Sequence, residues 1–245
     1  MLNDGVRFRH EYKYLEPEER LFPIEERLKA ALHKDPHVSE KGFYSIRSVY
    51  FDDHHDSFLR ENINGVDTRE KWRIRIYDQS DSVITLERKR RKGDLIAKDS
   101  CRIGREECED ILKGRPFLKE GEPLLNSFFI LSRTRLLRPR IIVEYERTPF
   151  VLKEGNVRVT FDRNIRSSLE IDGFFSDRPL CCRPVLQGNV NLMEVKYDGF
   201  LPDHVAHIIE DGYMRRTSFS KYALARKFTN NGILFSGFPV FKKAE

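Results

Sequence analysis

The sequence predicts an α+β protein whose strands close into an antiparallel β-barrel. Short segments with period-two alternation recur along the whole chain, broken by Gly, Pro, Asn and Asp at turns. The length of 245 residues suits one large barrel domain better than two domains. Several segments also carry the same kinds of charge on one face, which is more order than solubility requires. We therefore expect a single domain over residues 1–245.

The alternating segments and the helical stretches can be placed along the chain. Strands are expected near 6–14, 44–52, 69–78, 82–91, 95–104, 140–150, 156–163 and 190–198. Helices are expected where apolar residues recur at three- and four-residue intervals, near 23–34, 105–113, 122–137, 201–210 and 218–228. The helices of the central pair divide the strands into two groups. No repeat of about 20 to 50 residues is visible, which argues against a solenoid or a propeller.

The composition argues against a surface that coats nucleic acid non-specifically. The 44 Lys and Arg residues against 39 Asp and Glu residues give a formal net charge of only +5. The four cysteines show no CxxC spacing, so reduced thiols are expected. The N-terminus lacks the pattern of a secretory signal, and no stretch approaches about 18 apolar residues. We expect a soluble cytoplasmic protein without a transmembrane segment.

Residues two apart in a strand point to the same face, so each expected strand can be sorted into two faces. The charged faces carry Arg7, Arg9, Glu11 and Lys13 in the first strand, Lys71, Arg73 and Arg75 in the third, Glu87, Lys89 and Arg91 in the fourth, and Glu194 and Lys196 in the last. The opposite faces are largely apolar or aromatic. A single strand of this kind would ordinarily turn its charged face to water. Repetition over several strands favours faces that converge on the axis of a closed sheet.

Such an interior predicts a phosphate ligand. It has to be hydrated and hold anions, because like charges a few ångströms apart repel and ions out of water are costly. Arg binds phosphate oxygens bidentately, and Lys adds a compact charge beside it. The interleaved carboxylates are the ligands that Mg²⁺ or Mn²⁺ takes when phosphates supply the other oxygens. The pattern therefore predicts a polyanionic phosphate chain bound together with a divalent metal.

Two further strands extend the pattern, while other polar segments have an ordinary structural explanation. Tyr145 and Arg147 share one face of their strand, as do Arg158 and Thr160. Arg166 lies just beyond the second of these strands and is left outside the site. The acidic and histidine-rich run 52–56 follows a strand, where such residues more often cap a following helix than bind metal.

Short motifs along nearly the whole chain carry a family resemblance. They are Glu11-Tyr12-Lys13-Tyr14, Ser48-Val49-Tyr50-Phe51-Asp52, Arg73-Ile74-Arg75, Leu86-Glu87-Arg88-Lys89, Tyr145-Glu146-Arg147-Thr148-Pro149-Phe150, Arg158-Val159-Thr160-Phe161-Asp162, Met193-Glu194-Val195-Lys196 and Ser218-Phe219-Ser220-Lys221-Tyr222. In this order they resemble the triphosphate tunnel metalloenzymes, and within them the catalytic domain of the vacuolar transporter chaperone polyphosphate polymerases. The resemblance implies a closed antiparallel barrel that forms a triphosphate tunnel, with helices packed outside.

The resemblance also implies an activity and its residues. Polymerases of this family transfer the γ-phosphate of ATP to a polyphosphate chain with Mn²⁺ or Mg²⁺ and release ADP. The catalytic cations implied by position are Arg73, Arg75, Lys89, Arg147, Arg158 and Lys221. The implied substrate-binding residues are Lys13, Tyr145 and Lys196. Glu194 would hold the metal, with Glu11 as a second contact. For Glu11 and Glu87 alike, two roles stay open: a second metal contact, or an internal partner of the neighbouring Arg and Lys.

Two other functions stay open. A metal-dependent triphosphatase would replace the acceptor phosphate with water, and a Glu-x-Glu-x-Lys pattern in the first strand would favour it; residues 9–13 supply one glutamate only. A non-catalytic polyphosphate or nucleotide sensor would use the same ligands. Nucleic acid fits less well, because the aromatic side chains lie on the faces opposite the basic ones. The expected partner is ATP or inorganic tri- or polyphosphate, and the sequence leaves the oligomeric state open.

Overall fold

The computed structural model describes residues 9–38, 40–93, 95–210 and 214–229. The strands are β1 (His10–Pro17), β2 (His33–Lys34), β3 (Tyr44–Asp52), β4 (Thr68–Tyr77), β5 (Ser80–Lys92), β6 (Leu95–Ile103), β7 (Arg138–Leu152), β8 (Val157–Ser168), β9 (Arg183–Pro184) and β10 (Val190–Tyr197). The helices are α1 (Glu18–Ala31), α2 (Ser57–Ile63), α3 (Arg105–Leu112), α4 (Pro123–Thr134), α5 (Asp203–Ile209) and α6 (Lys221–Thr229). Every expected strand and helix is present, and most have shifted ends. Arg7 of the first expected strand lies outside the described residues.

All the described strands belong to one antiparallel sheet. Its order is β1-β10-β8-β7-β3-β4-β5-β6, with β2 paired to β7 and β9 paired to β8. The register shifts within the pairings of β3 with β7, β4 with β5 and β7 with β8. Because such irregularities bend a sheet and increase its twist, they help it to curl. The first and last long strands of the described residues, β1 and β10, pair with each other.

The two edge strands of the sheet meet at one residue pair. Arg9 and Ile96 exchange backbone hydrogen bonds of 2.9 and 3.2 Å in an isolated bridge. Further along β1, Tyr14 bridges to Arg216, and the amide of Thr217 donates to the carbonyl of Lys13 at 2.9 Å. The exposed edge of β1 is therefore partly occupied by the segment 214–220 instead of β6. A continuous ladder does not close the sheet among the described residues, and the closed-barrel part of the prediction is not confirmed.

Two apolar cores lie on the outer face of the sheet. One packs Leu21, Ile24 and Leu28 of α1 and Val205 of α5 against β8 and β10. The other packs α3 and α4 against β3, β4 and β5, where Phe128 contacts the rings of Phe51 and Trp72 at centroid distances of 5.0 and 5.5 Å. These helices confirm the expectation of an outer helical layer. No helix within the described ranges is both long enough and apolar enough to cross a membrane.

Helix α6 departs from that expectation because it packs on the inner face, defined here as the face that carries Arg73, Lys89 and Glu194. Its residues Tyr222, Ala223 and Ala225 are buried against Tyr50, Ile141 and Val143 of β3 and β7. The ring of Tyr222 stacks on that of Tyr50 with a centroid distance of 5.1 Å. The inner face is thus apolar where α6 covers it and charged beyond the start of that helix.

Polar contacts anchor α6 and the short helix α2 at the end of β3. Asp52 is fully buried and accepts hydrogen bonds from the amides of Phe58 and Leu59 and from the hydroxyl of Tyr222, the last at 2.5 Å. Asp53 accepts from the amide of Ser57 at 2.9 Å. The prediction that this acidic run caps a following helix is confirmed, and the carboxylate of Asp52 also secures α6 through Tyr222.

Candidate functional site

The charged side chains of the inner face come together because the strand register aligns them. Lys13 of β1 lies opposite Glu194 of β10, and Glu11 lies opposite Lys196. On the same face but near the other edge of the sheet, Arg73 lies opposite Glu87, and Lys71 lies opposite Lys89. Since side chains opposite each other in an antiparallel pair are close neighbours, cations and carboxylates alternate across the inner face.

Helix α6 brings Lys221 into contact with two buried carboxylates. Its Nζ lies 2.6 Å from Oδ2 of Asp162 and 3.0 Å from Oε1 of Glu194. Arg147 binds both oxygens of Asp162, at 2.6 and 2.7 Å. Lys196 binds Oε2 of Glu194 at 2.5 Å. Glu194 is therefore held between cations from a helix and from its own strand, while Asp162 fixes the guanidinium of Arg147.

A second group of ion pairs joins β1 to β5 across the open edge of the sheet. Lys89 donates to both oxygens of Glu11, at 2.9 and 3.0 Å. Glu11 also lies 3.4 Å from Lys13 and 3.5 Å from Lys196. Because Lys13 and Lys196 contact both Glu11 and Glu194, the two predicted metal ligands share their lysine partners.

A third group fixes Arg73 and Arg75 of β4. Arg73 binds Glu87 at 2.6 Å and donates to the hydroxyl of Tyr50 at 3.0 Å. Arg75 donates to the hydroxyl of Tyr145 at 3.1 Å. The question left open for Glu87 is answered in part by this geometry, which makes it the ion-pair partner of Arg73. Both guanidinium groups are thus oriented in advance of any ligand.

Lys71 differs from the other cations because no carboxylate of the described chain lies within 4.0 Å of its ammonium group. Its Nζ donates to the hydroxyl of Ser220 at 2.9 Å. Burial and the neighbouring Lys13 and Lys89 together lower the pKa of Lys71 well below its usual value. Lys71 was placed on the charged face by its strand position but was not among the predicted site residues. The signal in the sequence that could have identified Lys71 as a site residue is the excess of cations over carboxylates on the charged faces of the strands.

Two neighbouring cavities open between these groups. The inner cavity has a volume of about 50 Å³ and is lined by Lys13, Tyr50, Lys71, Arg73, Lys89, Glu194, Ser220, Lys221 and Tyr222. The outer cavity, of about 620 Å³, shares Lys13, Lys71, Lys89 and Ser220 with it and extends between β1, the end of α2 and the segment 216–220. The cations therefore line a small space and a larger one beside it.

The structure brings together all but one of the predicted site residues. Those in mutual contact or lining the cavities are Glu11, Lys13, Arg73, Arg75, Lys89, Tyr145, Arg147, Glu194, Lys196 and Lys221. Arg158 is the exception: it lies opposite Lys196 in the pairing of β8 with β10, but its guanidinium binds Asp35 at 2.7 Å and the hydroxyl of Tyr44 at 2.9 Å. Its side chain stays 34% exposed, whereas that of Arg147 is 9% exposed. The catalytic role of Arg158 therefore stays a prediction, because its guanidinium pairs with Asp35.

Asp162 is the main residue that the sequence did not single out. It lies on β8 two residues after Thr160 and is fully buried. The cations Arg147 and Lys221 hold its pKa below the usual value although burial alone would raise it. The same-face spacing Arg158, Thr160, Asp162 was available in the sequence, but its partners come from β7 and α6, which only the folded chain brings together.

The carboxylates fit a metal that is shared with bound phosphate. No group of three His, Cys, Asp or Glu side chains within the described residues is arranged to hold an ion alone. Mg²⁺ typically takes one or two protein carboxylates and completes its shell with phosphate and water oxygens. Glu194 lines the inner cavity and Glu11 the outer one, and the two carboxylates share Lys13 and Lys196 as ion-pair partners. These are the residues that would hold the ion.

We expect phosphate binding to weaken as the pH rises above about 7. Burial lowers the pKa of Lys89 to about 7, against the opposing charge of Glu11. Below this pH Lys89 is charged and attracts an anion; above it, binding has to take up a proton, which costs up to roughly tenfold in affinity per pH unit. Titration calorimetry with tripolyphosphate between about pH 6 and 9 measures this effect. Lys89→Arg keeps its charge and should flatten the profile; identical profiles for both proteins would contradict the assignment.

Comparisons with known proteins give a fold and a family. The structure of a protein from Bacillus halodurans, proposed to be an adenylate cyclase, is 14% identical with a TM-score of 0.50, covering 98% of this chain and 96% of that one. A protein from Pyrococcus horikoshii OT3 is 10% identical with a TM-score of 0.44, covering 88% of this chain and 98% of that one. A conserved protein from Pyrococcus furiosus is 11% identical with a TM-score of 0.41, covering 84% and 94%.

The family assignment rests on the sequence profile. No curated protein sequence matches this chain. The profile of the VTC domain, in contrast, matches residues 8–230, which include every strand and every residue of the site described above. The extent of this match agrees with the resemblance of the strand motifs to the vacuolar transporter chaperone polymerases. The chain therefore belongs to the VTC domain family.

Proposed function

We propose that this protein is a metal-dependent polyphosphate polymerase that transfers the γ-phosphate of ATP to a polyphosphate chain. The observation that carries the proposal is the inner cavity, where Lys13, Lys71, Arg73, Lys89 and Lys221 converge on one space beside Glu194. Membership of the VTC domain family supports a phosphoryl-transfer enzyme that binds triphosphate or polyphosphate. ATP and inorganic polyphosphate are thus the proposed partners; a cytoplasmic location and the absence of nucleic-acid binding stay predictions.

The transfer step needs no protein nucleophile. A terminal oxygen of the acceptor chain attacks the γ-phosphorus of ATP, the bond to the β–γ bridging oxygen breaks, and ADP leaves with the electron pair of that bond. Charge spreads over the transferred group, so catalysis consists mainly of alignment and electrostatic stabilisation. Lys221 and Arg73, which both line the inner cavity, are proposed to contact this group.

The carboxylates of the site keep the cations in position for this step. Glu87 orients Arg73, and Asp162 orients Arg147 and Lys221 through bonds of 2.6 to 2.7 Å. Donors that are fixed in advance do not have to reorganise when charge develops, which is how preorganised sites lower a barrier. A divalent ion held by Glu194, with Glu11 beside it, would supply Lewis-acid neutralisation of the phosphate oxygens.

The test is to incubate the purified protein with ATP and Mn²⁺ or Mg²⁺ and to follow ADP, free phosphate and long-chain polyphosphate separately. ADP formed together with polyphosphate is the expected result. ADP formed with free phosphate, or cleavage of tripolyphosphate, would instead identify a hydrolase. Binding of ATP or polyphosphate without turnover would favour a sensor, and no binding at all would refute the phosphate site. Arg133→Gln on the exposed end of α4 serves as the surface control.

A further inference from the structure

The strand position of Arg158 is that of a site residue, but a carboxylate holds its charge elsewhere. In the ladder between β8 and β10, Arg158 lies opposite Lys196. The Cβ atoms of such opposite residues are roughly 4.5–5.5 Å apart, so the side chain of Arg158 starts beside the lysine that binds Glu194. Its guanidinium nevertheless binds Oδ2 of Asp35 at 2.7 Å. The charge of Arg158 is therefore close to the site but not directed to it.

Asp35 lies in the segment between β2 and β3 and has partners besides this arginine. Its side chain is 5% exposed, and its Oδ1 accepts from the amide of His37 at 3.0 Å and lies 2.8 Å from Nδ1 of His37. Burial raises the pKa of Asp35, but the hydrogen bonds from His37 and the charge of Arg158 together bring the pKa below its usual value. The carboxylate is thus ionised, and it keeps its two contacts with His37 if the arginine moves away.

The ion pair of Arg158 with Asp35 is one that a multiply charged anion can displace. The side chain of Arg158 is 34% exposed, so water screens its attraction to the carboxylate. Arg147, in contrast, is 9% exposed and binds both oxygens of Asp162, which has no exposed surface. Since a guanidinium forms bidentate, charge-assisted bonds with phosphate oxygens, a phosphate nearby competes strongly for an arginine held by a single oxygen.

A buried hydroxyl next to Arg158 indicates where such an anion would lie. Thr160 follows on the same face of β8, lies opposite Glu194 in the register and is fully buried. Its Oγ1 makes no hydrogen bond to any other residue that the structure describes. Because buried hydroxyl groups are nearly always paired, an oxygen of a ligand or of water is expected beside Thr160.

We propose that Asp35 is a positioning residue, which keeps the guanidinium of Arg158 away from the inner face until a phosphate ligand competes for it. This inference rests on the proposed function and adds a residue that acts on ligand binding without touching the ligand. Like charges directly opposite each other destabilise a sheet, so an empty site requires a partner for Arg158 beside Lys196. Asp35 provides that partner, and a bound phosphate, which neutralises both cations, replaces it.

The experiment measures tripolyphosphate affinity by titration calorimetry without metal for the wild-type protein, Asp35→Asn, Arg158→Gln and the double variant. Asp35→Asn removes the competing charge and keeps an oxygen that can accept from His37, so the affinity should rise roughly two- to fivefold. In the Arg158→Gln background the same substitution should change the affinity less than about 1.5-fold, because the arginine that it releases is missing. A carboxylate with a purely structural role would not produce a gain that depends on Arg158.

The matched control is Glu154→Gln, which removes a carboxylate from an exposed position shortly before β8 and reports the general effect of one negative charge. The inference is overturned if Asp35→Asn weakens binding or leaves it unchanged, if its gain persists without Arg158, or if the control shows the same gain. If Asp35→Asn does not fold, a crystal structure of the wild-type protein with tripolyphosphate decides. Arg158 within hydrogen-bond distance of a phosphate oxygen is then expected, and Arg158 still bound to Asp35 would overturn the inference. Failure of the wild-type protein to bind tripolyphosphate would instead refute the proposed function itself.

Discussion

Glu194→Gln is expected to lower the rate of phosphate transfer by roughly 100-fold or more while metal-free phosphate binding is retained or strengthened. The carboxylate lines the inner cavity and contacts Lys196 and Lys221. Burial alone would raise its pKa, but Lys196, Lys221, Lys13 and Arg147 hold the pKa well below its usual value, so it is ionised. Removing its charge leaves the surrounding cations more attractive to phosphate and removes the oxygen donor proposed for the metal.

The fold of this variant should persist because its cationic neighbours keep other partners. Lys221 still binds Asp162 at 2.6 Å, and Lys196 still lies 3.5 Å from Glu11. The measurements are the turnover of ATP with Mn²⁺ and the affinity for tripolyphosphate without metal. Glu120→Gln, at an exposed position before α4, is the matched control. Equal loss of turnover and of metal-free binding would contradict a metal-holding role and indicate that Glu194 only organises the lysines.

Arg147→Met is expected to cost about 3–5 kcal/mol of the free energy of unfolding, as well as activity. Arg147 binds both oxygens of Asp162, a carboxylate with no exposed surface. Removing the guanidinium leaves a buried charge with Lys221 as its remaining close partner. This cation of the inner face is therefore expected to support the fold as well as the site.

A second substitution separates the structural role from the catalytic one. In Arg147→Met/Asp162→Asn the uncompensated charge is gone, so more than half of the lost stability should return in urea denaturation while activity does not. Lys221 keeps Glu194 as its partner in this protein. Arg178→Met on an exposed loop is the control. Additive losses in the double variant would contradict the assignment of the penalty to the unpaired carboxylate.

Much of the sheet and most of the site could be predicted because strand alternation is a strict local rule. A shift by one residue would exchange the two faces of a strand, so Arg73 and Arg75 cannot share a side with Trp72 and Ile74. The faces inferred for Glu11, Lys13, Glu194 and Lys196 follow from the same rule and agree with the observed register. Residue type and spacing were sufficient here, because assigning a residue to a face requires only the sequence of its own strand.

The features that could not be predicted depend on contacts between segments that are distant in the sequence. Arg158 shares a face with Thr160, yet Asp35, from the loop after β2, binds its guanidinium. Helix α6 has an apolar side that suited the outer layer equally well, and its inner position depends on the buried contact of Tyr222 with Asp52. Closure of the sheet depended on the edge of β1, which pairs in part with the segment near Thr217. Local periodicity contains no information on any of these partners.

The most direct test is a crystal structure with Mn²⁺ and an ATP analogue whose β–γ bridge resists cleavage. We expect the terminal phosphate in the inner cavity, within hydrogen-bond distance of Lys221 and Arg73, and anomalous density for the ion beside Glu194. The remaining phosphates should point towards Lys71 and the outer cavity. A nucleotide bound elsewhere, with the cations of the inner face still paired to their carboxylates alone, would contradict the assignment of this cavity as the site of phosphate transfer.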